Sequence, residues 1–241
     1  MMKLEEALIE GGKILGIEIS CDMLDSFRIH YELLTEFNKH TNLTSIEGEE
    51  EVAVKHFLDS LTYFKATEIM DNQHIVDVGS GAGFPGIPLK VKSPLLAITL
   101  VESSLKRVKF LECLISSLRL PDVKIIRSRA EDMGRINTQR EKYDVAVARG
   151  VAELAVLSEL CLPLVKPGGV FIAFKGPSIE GELTESGKAI EIMGGRLEKT
   201  VKISLPWNHG DRSLVIIKKE RYTPDKYPRR AGIPKKRPIK P

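Results

Sequence analysis

No apolar run in this sequence approaches the roughly 20 residues that a membrane-spanning helix needs, so no membrane contact is expected. The opening residues, MMKLEEALIEGGK, carry acids where a secretory signal carries a basic start and an apolar centre. Cysteine is scarce. Cys21, Cys113 and Cys161 lie far apart without a CxxC pair, which argues against a disulfide framework. Cys113 and Cys161 fall in apolar helical patterns and read as buried reduced thiols. His30, His40, His56, His74 and His209 are scattered without the spacing of metal ligands, so no metal is expected. Internal repeats and low-complexity blocks are missing as well. Together these absences point to a globular, cytoplasmic protein.

The 241 residues that are present suffice for one substantial α/β domain and a small extension. The net charge of +3 conceals an uneven distribution. Residues 1–60 hold 5 basic and 13 acidic side chains, whereas residues 221–241 hold 8 basic and 1 acidic. A basic tail of this kind either meets nucleic-acid phosphates or is a solvated terminus.

Hydrophobic periodicity divides the chain in three. Over residues 1–70, Leu4, Leu8, Ile9 and Leu15 recur at helix spacing, and Phe27, Tyr31, Leu34 and Phe37 form a stripe on a helix from about Ser20 to Lys39. HTNLTSI (40–46) reads as a turn in which Asn42 and Thr44 bond nearby backbone, and GEEEVAVKHFLDSLTYF reads as a further helix. Residues 71–220 change to alternating strands and helices. The strands are HIVDV (74–78), AITLVE (97–102), VKIIRS (123–128), YDVAVAR (143–149), GVFIAFK (169–175), RLEKTVKI (196–203) and SLVIIKK (213–219). The clearest helices are SLKRVKFLECLISSLRL (104–120) and VAELAVLSELCLPLV (151–165). This alternation predicts a mostly parallel sheet of about seven strands, covered by helices on both faces. Residues 221–241 form the basic tail, in which prolines favour an extended chain.

In such a sheet, ligands bind beyond the carboxyl ends of the strands, where strand order reverses. Four segments end there with suitable residues. DVGSGAGFPG (77–86) supplies Gly79, Gly81 and Gly83, which let backbone approach a ligand closely. GAGFPG also fits the dinucleotide pattern GxGxxG, so an NAD-dependent oxidoreductase stays open. Asp77 tips the balance, because D-x-G-x-G-x-G resembles the first motif of S-adenosylmethionine-dependent methyltransferases, where such an acid receives an ammonium group. Glu102 lies 21 residues beyond Gly81, the offset at which an acid accepts hydrogen bonds from ribose hydroxyls. Ser103 and Ser104 are better candidates than Glu102 for capping the next helix. RSRAEDM (127–133) offers Ala130 and Glu131 to an adenine ring, and Arg149 ends its strand either facing an anionic ligand or in a structural ion pair. The chain leaves that strand as ARGVAEL, without the Asn/Asp-Pro-Pro-aromatic motif of enzymes that methylate exocyclic amines.

Several of these segments, taken in order, resemble one family, the bacterial guanine-N7 methyltransferases of small-subunit ribosomal RNA (RsmG or GidB). They are NKHTNLTSI (38–46), HFLDSL (56–61), DVGSGAGFPGIPL (77–89), ESSLKRVKFL (102–111), RAED (129–132), VARGVAEL (147–154), FKG (174–176) and YPRRAGIPKKRP (227–238). The resemblance implies a Rossmann-like domain behind a helical extension. S-adenosyl-L-methionine would be the donor, S-adenosyl-L-homocysteine the product, and a guanine of 16S ribosomal RNA, free or in the 30S particle, the acceptor. Another RNA target is the alternative. By the same resemblance Gly79 and Phe84 line the methionine and adenosine pocket, Ala130 and Glu131 touch adenine, and Arg149 positions the cofactor or the base without a general base. Arg229, Arg230, Lys235, Lys236 and Arg237 are expected to hold RNA phosphates, and a monomer is expected to suffice. On this reading the tail serves RNA alone and is separable from cofactor binding.

Overall fold

The computed structural model describes residues 2–67 and 72–240. Its centre is a seven-stranded sheet in the order β3-β2-β1-β4-β5-β7-β6. The strands are β1 (His74–Val78), β2 (Ala97–Glu102), β3 (Val123–Arg127), β4 (Tyr143–Arg149), β5 (Val165–Lys175), β6 (Gly195–Ser204) and β7 (Asp211–Lys219). Only β7 runs against its neighbours, β5 on one side and β6 on the other. Every predicted strand forms. β5 starts four residues early because Val165 pairs with Tyr143 ahead of a bulge, before Val170 meets Val145.

Strand alternation sorts side chains into two cores. Val145 and Val147, Ile172 and Phe174, and Leu214 and Ile216 enter one core; Ala146, Ala148, Phe171, Ala173, Val215 and Ile217 enter the other. The first core continues without a break into the N-terminal helices through Leu4, Leu8, Phe27, Leu34, Phe57 and Leu58. Those helices are α1 (Leu4–Leu15), α2 (Cys21–Thr41), α3 (Glu49–Val52), α4 (Asp59–Leu61) and α5 (Tyr63–Ala66). On α2, Ser20 caps the start by accepting the Met23 N–H at 3.3 Å, and Met23, Phe27, His30 and Leu34 form the buried stripe. The segment expected to be one helix after Gly48 is broken by a π-helical turn over Ala53–Leu58, which redirects its carbonyls. The domain boundary expected between residues 70 and 71 lies outside the described residues.

Helices α6 (Gly86–Lys92) and α7 (Leu105–Leu118) cover the sheet on the N-terminal side. The other face takes α8 (Ala130–Met133), α9 (Leu154–Cys161) and α10 (Glu180–Ile192). Helix α9 starts three residues later than the apolar pattern suggests, and Val151, ahead of it, packs against Gly79.

The tail departs from the extended chain that its prolines predict. It contains a helical turn, α11 (Ile233–Lys236), and is strapped to the body. Arg140 donates to the carbonyls of Thr223 (2.6 Å) and Tyr227 (2.7 Å), and Arg135 to that of Pro228 (2.9 Å). Arg229, expected to hold RNA phosphate, instead pairs at 2.6 Å with Glu159, whose side chain is only 1% exposed. An acid so deeply buried requires that partner. The guanidinium is therefore committed to folding.

Because the first core is continuous, the helical extension and the sheet are expected to unfold together. Urea unfolding followed by Trp207 fluorescence and by circular dichroism is expected to give one coincident transition, which Phe57→Ala lowers by about 3–5 kcal/mol. Two separated transitions would show an independently stable extension.

Candidate active site

Strand order reverses between β1 and β4, and a cleft opens beyond their carboxyl ends. It contains two cavities. The larger, of about 1000 Å³, is bounded by the loop after α2 (Asn42, Thr44), by His56 and Asp59, and by Phe84 and Arg149. The smaller, of about 320 Å³, is bounded by Glu102, Ala130, Glu131, Val151, Gly232 and Lys235. Gly79, Gly150 and Arg107 line both. An added Cβ at Gly150 would meet nothing within 4 Å, whereas one at Gly79 would stand 2.7 Å from Val151, so the loop's Val151 packs against the glycine turn where the two spaces meet.

The glycine loop is held from beneath. Asp77 shares a strand face with Ile75 and is directed under the loop, where its Oδ2 accepts the Gly86 N–H at 2.9 Å. It is fully buried and lines neither cavity, and burial pushes its pKa up to about 7. The acid expected to receive an ammonium group is thus buried and braces the first turn of α6 through Oδ2, while its Oδ1 has no hydrogen-bond partner among the described residues. Gly79, at φ +76, faces both cavities. Gly81 lines the larger cavity, and its N–H reaches Glu102 Oε2 at 3.2 Å. Gly83, expected at the ligand, packs instead where an added Cβ would stand 2.9 Å from Ile87; its φ of +86 serves the turn.

Glu102 is 4% exposed at the wall of the smaller cavity. Its Oε1 accepts the Ser104 N–H at 2.7 Å just ahead of α7; Ser104 occupies the N-cap position as expected, although its side chain makes no capping bond. Ala130 and Glu131 line the same cavity, and Glu131 Oε1 accepts the N–H of Gly232 from the tail at 2.8 Å.

Arg149 lies on the strand face that looks towards the N-terminal helices, with Val145 and Val147. Its Nη1 donates to Asp59 Oδ2 at 3.0 Å and to the carbonyls of Lys55 and His56 in the π-helical turn. Asp59 also faces Arg212, Oδ1 to Nε, at 3.2 Å. One carboxylate between two guanidiniums leaves a net positive charge at the cavity wall. The Arg149 Nη2 donates to His56 Nδ1 at 3.1 Å, and the guanidinium stands 5.1 Å from the Phe84 ring centre. Phe84 stacks with His30 at 4.6 Å and with His56 at 4.5 Å. Burial lowers the pKa of His30 to about 4 and that of His56 to about 3, the latter helped by Arg149, so both rings are neutral near pH 7.

A family model described as rRNA small subunit methyltransferase G (GidB) matches residues 23–215. The chain belongs to this family. Ribosomal RNA small subunit methyltransferase G of Pelotomaculum thermopropionicum is 50% identical over 239 residues, covering 99% of this chain and all of that protein. The protein of the same name from Lactobacillus acidophilus is 47% identical over 240 residues, again covering 99% of this chain and all of the relative. Among solved structures, M. jannaschii TYW2 in complex with AdoMet matches with a TM-score of 0.51 at 18% identity, covering 66% of this chain and 74% of that one. That likeness supports the Rossmann-like fold. The methyltransferase motifs read from residues 77–89 and 102–111 sit at the carboxyl ends of β1 and β2, where a sheet of this type binds its ligands. His56, Asp59 and Arg212 were not singled out by the sequence. His56 and Asp59 lay in HFLDSL (56–61), one of the family segments, without a role assigned to them, and Arg149, buried at a strand end, needed an acid from elsewhere.

Acid stability separates the buried groups. His30 and His56, depressed from about 6.5, withdraw stability as pH falls from 6.5 towards 4 and 3, on the order of 3 and 5 kcal/mol respectively. Asp77, raised to about 7, acts oppositely: its burial cost grows as pH rises from about 4 to 7 and is relieved on acidification. Asp77→Asn removes that compensation. Its urea midpoint is expected to fall more steeply than wild type between pH 7 and 4; parallel slopes would refute the assignment.

Proposed function

We propose that the protein transfers a methyl group from S-adenosyl-L-methionine to N7 of a guanine in 16S ribosomal RNA, presented as RNA or as the 30S particle. The observation that carries this reading is the pair of cavities that share Gly79, Gly150 and Arg107 at the strand-order reversal, in a chain of the rRNA small subunit methyltransferase G family. The smaller space suits a nucleoside. Glu102 supplies a carboxylate acceptor for ribose hydroxyls, and Ala130 and Glu131 supply the wall beside adenine. Gly79 and Gly150 line both spaces, which places an elongated cofactor along them. When bound, S-adenosylmethionine supplies an electrophilic methyl on its sulfonium.

Guanine N7 carries an in-plane lone pair and no proton, so the acceptor asks no general base of the protein. The candidates at the wall match that demand. His56 has both ring nitrogens occupied, and Asp59 is held between two guanidiniums. The chain's contribution is positioning, which can lower a barrier by several kcal/mol when the reacting atoms are aligned. Arg149 acts in this role by fixing His56 and the π-helical turn, and the surplus positive charge of Arg149, Asp59 and Arg212 suits an anionic group of the cofactor or RNA. Arg230, Lys235, Lys236 and Arg237 are exposed and remain candidates for phosphate contacts.

The direct test incubates the protein with labelled S-adenosylmethionine and undermodified 30S particles or 16S RNA. Labelled 7-methylguanine is expected, and its absence on both substrates would sink the reading. Ending the chain after Lys226 removes the Gly232 N–H and Lys235 from the nucleoside wall, so the tail is not separable from the cofactor as its sequence suggested. Calorimetry is expected to show S-adenosylhomocysteine affinity reduced about tenfold or more. Unchanged affinity with weakened RNA binding would return the tail to a purely RNA-binding role.

A further inference from the structure

The loop after α2 carries a threonine that the cofactor reading leaves unused. Thr44 lines the larger cavity and is held by its backbone: its carbonyl accepts from Asn38 Nδ2 at 2.9 Å, and its N–H donates to Asn38 Oδ1 at 3.0 Å. The state of its hydroxyl is determined by the groups around it. Arginine only donates, so the 3.1 Å contact between Arg149 Nη2 and His56 Nδ1 makes Nδ1 an acceptor. A neutral imidazole with Nδ1 accepting carries its proton on Nε2. That Nε2–H, 2.9 Å from Thr44 Oγ1, therefore donates to the threonine. The Ile46 N–H donates to the same oxygen at 3.1 Å. A hydroxyl has two lone pairs and one proton, and both lone pairs are now taken. The proton is left without an acceptor among the described residues, on a side chain at the cavity wall. The depressed pKa of His56, about 3, keeps this arrangement in place across the neutral range.

We propose that Thr44 reads the target base: the Arg149–His56–Thr44 chain turns its hydroxyl into a donor only, which hydrogen-bonds guanine O6 and rejects adenine. Both purines offer an N7 lone pair, so selection cannot rest on the methylated atom. They differ at the neighbouring position, where guanine shows an O6 acceptor and adenine an N6 amine donor. An ordinary threonine hydroxyl serves either by rotating. One whose lone pairs are both engaged meets the amine donor to donor. Thr44 is thus a specificity residue that touches substrate, and Arg149 and His56 are positioning residues acting through it. The proposal rests on the reading that the target base enters the larger cavity.

The test compares 30S particles assembled with guanine or with 2-aminopurine, which has no O6, at the nucleotide the enzyme modifies. Affinities are measured with the full-length protein saturated with S-adenosylhomocysteine. The wild type is expected to bind the guanine particle about tenfold more tightly, the worth of one hydrogen bond made in a desolvated site. Thr44→Val, which keeps the shape and removes the proton, is expected to bring the ratio near one; Thr44→Ser is expected to keep it. A structural role for Thr44 would weaken both particles equally and leave the ratio unchanged, which overturns the proposal. Equal wild-type affinity for the two particles overturns it without any variant. If the wild type leaves no 7-methylguanine on the guanine particle, the functional reading itself fails; methylation with an unaltered ratio in Thr44→Val removes only the Thr44 assignment.

Discussion

A guanidinium buried at the end of a central strand must be paired, and Arg149 finds its acid 90 residues away, at Asp59. Strand alternation determines where that acid must come from. Val145, Val147 and Arg149 share the face covered by the N-terminal helices, so the partner had to lie on them. Meeting it sets several other features. The π-helical turn over Ala53–Leu58 offers two carbonyls to the same guanidinium, His56 is fixed by it in one tautomer, and Arg212 on β7 joins from the far side of Asp59. The helical extension and the catalytic sheet are consequently one unit at the site as well as in the core.

Local and non-local signals explain which features could be read from the sequence. All seven strands were legible because alternating and continuous apolar runs are properties of a few adjacent residues. The cofactor loop was legible as a motif, but its residues divide by what lies around them. Gly79 faces ligand space, Gly83 faces Ile87 and Leu111, and Asp77 braces α6 from beneath. Spacing could not assign these roles, because all three lie close together at the end of β1 and in the loop that follows, and differ in which way the backbone directs them. The tail was misread for a related reason. Its prolines argued for an extended chain, yet Arg140 and Arg135 collect its carbonyls and Glu159 takes Arg229. Those partners lie on segments 70 or more residues distant, and nothing in the local composition announces them.

The two cavities differ in how their walls are made. The nucleoside wall uses carboxylates whose acceptor capacity is shared with backbone N–H groups: Glu102 with Gly81 and Ser104, Glu131 with Gly232. A carboxylate has about four lone-pair directions, so these bonds fix its orientation and still leave acceptor capacity for a ligand. The larger cavity sets a cluster of donors beside the carboxylates of Asp59 and Glu47. Arg149, Arg212 and the Thr44 hydroxyl are donors, and the neutral imidazole beside them has no acceptor to spare. A nucleoside cofactor brings hydroxyls and an amine that need acceptors, whereas a purine Hoogsteen edge with N7 and O6 needs a donor beside the reacting atom.

This division also accounts for the buried histidines. A charged His56 would carry protons on both nitrogens, lose its bond from Arg149, and set two positive groups 3.1 Å apart at a buried position. Burial beside Phe84 and Arg149 makes that state costly, and the cost is what preserves the direction of the hydrogen bonds from Arg149 to Thr44. Stability at low pH is given up for this. The neutral ring has both nitrogens engaged; under the proposed reaction, which asks for no general base, its contribution is to hold Thr44 as a donor at the cavity wall.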